Sequence, residues 1–105
     1  MASRRKVTFA AAAPPPEPTC QLCERQVQQV SRHHLVPREE GGRYGPTIDL
    51  CQPCHSTVHL LLTNKALARQ YHSVEALRSA DELQKYLHWI KRSRVERISN
   101  RRRRR

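Results

Sequence analysis

The chain has 105 residues, of which 28% are charged, 37% hydrophobic and 5% aromatic, and its formal net charge is +11. A chain of that length forms one domain at most, and so small an apolar fraction calls for a staple beside hydrophobic burial. No run approaches the roughly 20 apolar residues of a membrane span, so no membrane partner is expected. The charge is unevenly placed. Arg4, Arg5, Lys6 and the run Arg101–Arg105 carry much of it, whereas residues 20–98 hold twelve Lys and Arg against eight Asp and Glu. Flanking basic runs hold a polyanion electrostatically without reading or cutting it. Alone they signal solubility, nucleic-acid affinity or localisation.

Residues 1–19 contain an alanine run, then Pro14, Pro15, Pro16 and Pro18, a composition that predicts a disordered lead-in. The apolar stretch from Val7 to Ala13 is too short for a secretory signal. The expected location is therefore intracellular. The alternative is an organellar presequence within residues 1–19, which hold no acid before Glu17. Order is predicted to start at Cys20, with a first strand within Val27–Leu35 that Pro37 ends. Residues 38–46, REEGGRYGP, hold all three glycines and read as a mobile loop. Thr47–Leu50 is a second short strand leading into a cysteine pair.

From Cys54 the pattern turns helical, since His55, Val58, His59 and Leu62 recur at intervals of three and four. Thr63 and Asn64 end or bend this helix, and Lys65–Tyr71 makes a short amphipathic segment. Ser73 caps a turn through Leu77, and Ser79-Ala80-Asp81-Glu82 reads as a capping box opening a longer helix. Leu83, Tyr86, Leu87 and Ile90 form an apolar stripe beside Trp89, predicted to pack on the earlier helix. His72 and His88 read as ordinary surface or packing residues. The division expected is a lead-in at 1–19, a core at 20–71, a helical extension at 72–98 and a basic tail at 99–105.

Two constellations carry chemistry. Cys20-x2-Cys23 and Cys51-x2-Cys54 are identical pairs separated by 27 residues, the spacing of a four-thiolate site for structural zinc. Two disulfides are the alternative, disfavoured by the absence of a secretory signal. The other constellation is histidine. On a helix, His55 and His59 face the same way, about 5–6 Å apart at Cβ, as two imidazoles sharing a metal do. Four thiolates already fill one tetrahedral zinc, so these histidines point to a second metal. Adjacent His33 and His34 lie on opposite faces of a strand. One can then address the metal while the other addresses substrate. Two or three imidazoles leave a metal open positions for water and a phosphate oxygen, and an unligated histidine can take a proton from that water. The combination suits phosphodiester hydrolysis.

Cys20-x2-Cys23, His33-His34-Leu35-Val36-Pro37-Arg38 and Leu50-Cys51-x2-Cys54-His55-x3-His59 together resemble the HNH endonuclease family, in its cysteine-containing branch. The resemblance covers residues 20–59, and the helical stretch that follows is similar to a small subgroup with such an extension. It implies an α+β fold: a small ββα-metal (His-Me finger) core with structural four-cysteine zinc knuckles, followed by a C-terminal helical extension. It implies that His33, His55 and His59 hold the catalytic divalent ion (Mg2+, Mn2+, Ni2+ or Zn2+), that His34 is the general base, and that Cys20, Cys23, Cys51 and Cys54 hold Zn2+. The implied substrate is DNA, with RNA as the alternative. One position departs from the family: its middle Asn, which braces the base histidine, is Pro46 here, and Thr47, Asp49 and Asn64 are the candidate replacements. Arg38, Arg43 and Lys65 are the candidate phosphate contacts, because a guanidinium matches phosphate geometry in a bidentate way. The competing readings are a plain zinc ribbon, which leaves four histidines unexplained, and a degenerate HNH fold kept as a non-catalytic nucleic-acid-binding module.

Overall fold

The computed structural model describes residues 16–100. Residues 1–15 of the expected lead-in and residues 101–105 of the basic tail lie outside them. Order begins in a tight turn around the first cysteine pair. The Glu24 amide donates to the Cys20 carbonyl at 2.8 Å and the Cys20 amide to the Arg25 carbonyl at 2.9 Å. Closing that turn places Glu24 at a φ of 69°, a left-handed conformation uncommon outside glycine. The chain then pairs Gln26 with Thr19, which keeps residues 27–30 out of the sheet. The first strand, β1, is accordingly shorter than its sequence pattern, covering Ser31–His34. β2 is Thr47–Leu50, as read from the sequence.

The two strands form an antiparallel pair in the register Ser31–Leu50, Arg32–Asp49, His33–Ile48 and His34–Thr47. Alternation along β1 buries His33 and leaves Arg32 exposed. The connecting segment is cross-braced. A 3-10 turn spans Arg38–Glu40 and ends on Gly41, whose φ of 91° suits a residue without Cβ. The amides of Glu40 and Gly42 both donate to the Pro37 carbonyl. A Cβ on Gly42 would lie 1.8 Å from the Val36 carbonyl oxygen, so this close approach also requires glycine. The loop read from its glycines as mobile is thus held by main-chain hydrogen bonds.

Helix α1 covers Gln52–Leu61, with Cys51 as its N-cap and Pro53 in its first turn. It starts earlier than the histidine spacing suggests, because Cys51-x2-Cys54 itself forms the cap and first turn. Thr63 ends this region and opens α2, Asn64–Arg69, by accepting from the Ala66 amide. Ser73 opens α3, Val74–Ser79, in the same way. The expected capping box does not form. The Ser79 hydroxyl donates back to the Glu75 and Ala76 carbonyls, and the Gln84 amide donates to the Arg78 and Ala80 carbonyls. With those groups engaged, a 3-10 turn at Asp81–Leu83 precedes the last helix, α4, Gln84–Ile90.

One core joins these parts. Leu77, Leu83, Leu87 and Ile90 are buried in the same cluster as Leu22, Leu50, Val58 and the four cysteines. Each fully buried Leu or Ile contributes about 1.5–3 kcal/mol. Tyr86 is half-buried, Trp89 remains 48% exposed, and His72 and His88 lie at the surface. Among the described residues the architecture is a small α+β fold: a two-stranded sheet, four short helices and a buried cysteine cluster. Among the described residues no helix is long and apolar enough to cross a membrane.

Candidate metal centre

The turn at Cys20–Cys23 and the first turn of α1 bring four thiols together. All four cysteines are buried and none is in a disulfide, and their sulfurs lie within 4.8 Å of one another. Cys23 and Cys51 Sγ are 3.9 Å apart, close to the ~3.8 Å edge of a tetrahedron with Zn–S bonds of about 2.3 Å. The cluster could hold a metal, and its donor set is compatible with structural zinc. The four thiols share their protons unevenly, with Cys20 and Cys23 lowered and Cys51 and Cys54 raised. Hydrogen bonding from Cys20 first, then from Cys51 and Cys54, drives the Cys23 thiol far below the ordinary range. The same contacts hold the last proton on Cys54, which is pushed up by Cys20, Cys23 and Cys51.

Two residues outside the pairs support the sulfurs. Arg25 donates from Nε to Cys23 Sγ at 3.3 Å and from Nη2 to Cys51 Sγ at 3.6 Å, bridging the two pairs. The Tyr86 hydroxyl donates to Cys54 Sγ at 3.2 Å. A guanidinium there would offset part of the negative charge of four thiolates around a bound metal, a common task of groups behind metal ligands. Neither residue was legible as a site residue. Arg25 lies two positions beyond a cysteine and Tyr86 in an apolar stripe, so nothing in either pattern marks a sulfur contact.

The second group is His33 on β1 with His55 and His59 on α1, whose ring nitrogens also lie within 4.8 Å of one another. Their ring centroids make a near-equilateral triangle: 5.4 Å from His33 to His55, 5.1 Å from His33 to His59 and 5.2 Å from His55 to His59. His33 is 1% exposed, yet neither of its ring nitrogens has a hydrogen-bond partner. Unpartnered buried polar atoms are costly, and a cation shared with the two facing imidazoles would satisfy this one. Burial first, then His59, His55 and His34, lowers His33 to about 4. Burial followed by His59 lowers His55, and burial lowers His59. Near neutral pH the triad is therefore uncharged, the form that ligates metal. Ser31, on the His33 side of β1, lies 2.6 Å from His55 Nδ1. That contact occupies Nδ1 and leaves Nε2 as the His55 nitrogen free to ligate.

A cavity of about 240 Å3 opens beside the triad, lined by His55, His59, His34, Arg32, Arg38, Pro37, Glu39 and Asn64. The structure thus brings His34 and two of the triad onto one cavity wall. Of the candidate phosphate contacts, Arg38 lines it. Arg43 lies outside it, with its guanidinium carbon 5.3 Å from the Tyr44 ring centroid, and Lys65, on the exposed side of α2, does not line it either. Arg32 was missed, although strand alternation places it on the His34 face. Of the residues considered as replacements for the missing Asn, Thr47 sits opposite His34 in the sheet and Asp49 opposite Arg32. Asn64 donates to Glu39 Oε1 at 2.6 Å, which ties α2 to the loop rather than to His34.

Comparison with known proteins adds one relative. The chain is 43% identical over 79 residues to the uncharacterized protein YisB of Bacillus subtilis (strain 168), covering 75% of this chain and 79% of that one. No family model matches the chain, and no solved structure matches it.

Proposed function

We infer that this chain, which belongs to the same family as Bacillus subtilis YisB, is a metal-dependent endonuclease of the HNH type, hydrolysing phosphodiester bonds in DNA. The observation that carries the reading is the shared cavity. His34, which is outside the triad, faces the same 240 Å3 space as His55 and His59. In this reading Cys20, Cys23, Cys51 and Cys54 hold a structural Zn2+ that ties the first turn to α1. His33, His55 and His59 hold the catalytic ion, Mg2+, Mn2+, Ni2+ or Zn2+. When bound, that ion supplies a Lewis acid for a phosphate oxygen and for the leaving alkoxide.

The chain's own residues do the rest. His34 takes the proton of the attacking water as general base. Arg38 and Arg32 bind and orient the phosphate from the cavity wall. Ser31 holds the His55 ring, and Glu39 and Asn64 fix the loop that carries Arg38. The brace expected from the family Asn passes to the main chain, since the Leu35 amide, next to His34, donates to the Pro46 carbonyl at 3.1 Å.

A second reading has one observation in its favour. Asn64 contacts Glu39 and not His34, which fits a degenerate HNH fold kept as a non-catalytic, zinc-binding nucleic-acid-binding module. A supercoiled-plasmid assay separates the two. The nuclease reading expects nicking with Mg2+, Mn2+ or Ni2+ and none in chelator. Plasmid that is bound but never cut under any of these ions, nor with RNA as substrate, supports the module instead.

A further inference from the structure

The loop between the strands carries two side chains, Arg43 and Tyr44, that line no wall of the histidine cavity yet are tied to it. The amides of Gly41 and Gly42 donate to the carbonyls of Arg38 and Pro37, each at 3.0 Å, the paired hydrogen bonds that close a helical turn on a left-handed glycine. The Gly45 amide then donates to the Gly42 carbonyl at 3.0 Å, which makes residues 42–45 a β-turn with Arg43 and Tyr44 at its two corners. At the base of the loop the Leu35 amide donates to the Pro46 carbonyl at 3.1 Å. Both corner side chains are exposed, and Tyr44 most of all, at 90% against 48% for Trp89 and 42% for Leu61.

Pro37 and Arg38, whose carbonyls accept those amides, line the histidine cavity. The tip is thus hydrogen-bonded to the cavity wall, and Tyr44, two residues from Gly42, lies within about 7 Å of that bonded glycine along the chain. It is fixed there as well as near. Gly42 fits against the Val36 main chain with no room for a Cβ, so the turn has one way to seat. The Arg43 guanidinium lies over one face of the Tyr44 ring, 5.3 Å from its centroid, and the other face is open to solvent. So exposed a ring contributes almost nothing to the core. It offers instead a flat π surface on which any base stacks, beside a cation that pairs with phosphate.

Stacking needs an open base face, which continuous duplex presents only where a base step is wedged apart at a cost in free energy. A gap or an unpaired end presents it freely. We propose that Arg43 and Tyr44 form a nucleotide-binding rim of the histidine cavity, where the Tyr44 ring stacks on an unpaired base of the bound strand and Arg43 binds the phosphate beside it, so that the chain selects DNA with unpaired nucleotides over continuous duplex. The proposal rests on the nucleic-acid reading of the cavity but not on cleavage. The two contacts differ in kind: Tyr44 senses whether a base is free, and Arg43 only the charge of the backbone.

The test is the anisotropy of two fluorescein-labelled probes, a continuous 16-base-pair duplex and the same duplex with a central three-nucleotide gap, titrated with the full chain without added divalent ion at several salt concentrations. The wild type is expected to bind the gapped probe at least about fivefold more tightly. Tyr44→Ala should lose about five- to 150-fold on the gapped probe, the worth of one stacked base, and less than about twofold on the duplex, with the slope of log K against log salt unchanged. Tyr44→Phe should keep the preference and Tyr44→Leu should not, which separates stacking from apolar contact. Arg43→Gln should weaken binding of both probes and reduce that slope by about 0.7–0.9, one phosphate contact. Equal binding of the two probes by the wild type, an unchanged gapped-probe affinity in Tyr44→Ala, or a preference kept by Tyr44→Leu overturns the proposal. Plasmid left intact under every ion while the Tyr44 loss appears would reject the nuclease reading and leave the rim's role standing.

Discussion

His33 is the residue whose chemistry is most sharply constrained, and replacing it with Leu gives a quantitative test. It is buried with two unpartnered ring nitrogens, and its pKa lies at about 4 in the folded chain against 6.5 for a free imidazole. The unfolded chain therefore binds the extra proton first as pH falls. The stabilising contribution of a neutral His33 is fully present above pH 6.5 and is lost as pH drops through the window down to 4. Linkage gives a loss of about 2 kcal/mol between pH 7 and pH 5, and about 3 kcal/mol by pH 4. Urea denaturation of the wild type and His33→Leu in parallel, under reducing conditions without added divalent ion, isolates that contribution because the cysteine cluster is common to both. The difference in unfolding free energy is expected to shift by about 2 kcal/mol toward the variant between pH 7 and pH 5. Added divalent ion at a hundred times its Kd should stabilise the wild type alone, by about 2.7 kcal/mol. A difference that stays constant with pH would refute the reasoning, since it would mean that His33 reaches water or a partner in the folded chain.

Gly42→Ala forces a methyl group against main-chain atoms of Val36 that cannot move aside, and an expected cost of about 2–3 kcal/mol should lower the thermal midpoint by roughly 10 °C or more. A melt within two or three degrees of the wild type, on the scale of a few tenths of a kcal/mol, would contradict that packing. Cys51→Ser removes one sulfur from the cluster while leaving a good capping residue at the start of α1. Bound metal measured by mass spectrometry should fall by one ion per chain and helical circular dichroism with it, because structural zinc contributes folding energy directly. Full metal retention with native helicity would count against a four-cysteine site.

The parts of the fold that repeat were legible. Period-three and period-four spacing gives α1 and the buried stripe of α4, and alternation at Thr47–Leu50 gives β2 to the residue. The cysteine and histidine spacings mark which side chains meet, because a helix turn and a strand pair fix their directions locally. What was not legible is what the chain does over long separations. Arg25 reaches Cys51 and Ser93, Tyr86 reaches Cys54, and Gln52 clasps Ile98. None of these contacts leaves a periodic trace. The Ser79 capping box shows the opposite failure. A valid local signal lost because the Ser79 hydroxyl found nearer carbonyls inside α3, and Gln84 took over the ending of that helix. In the Gly-rich loop, composition suggests freedom, yet Gly42 is there for closeness to Val36.

The central claim is that His34 works as a general base beside an ion held by the neighbouring triad, and single-turnover cleavage of a labelled duplex by wild type and His34→Ala tests it most directly. With both proteins at matched divalent-ion occupancy and equal zinc content, the account expects the rate to fall about 10²–10⁴-fold in the variant. Cleavage by His34→Ala at the wild-type rate, with the same ion bound, would contradict it.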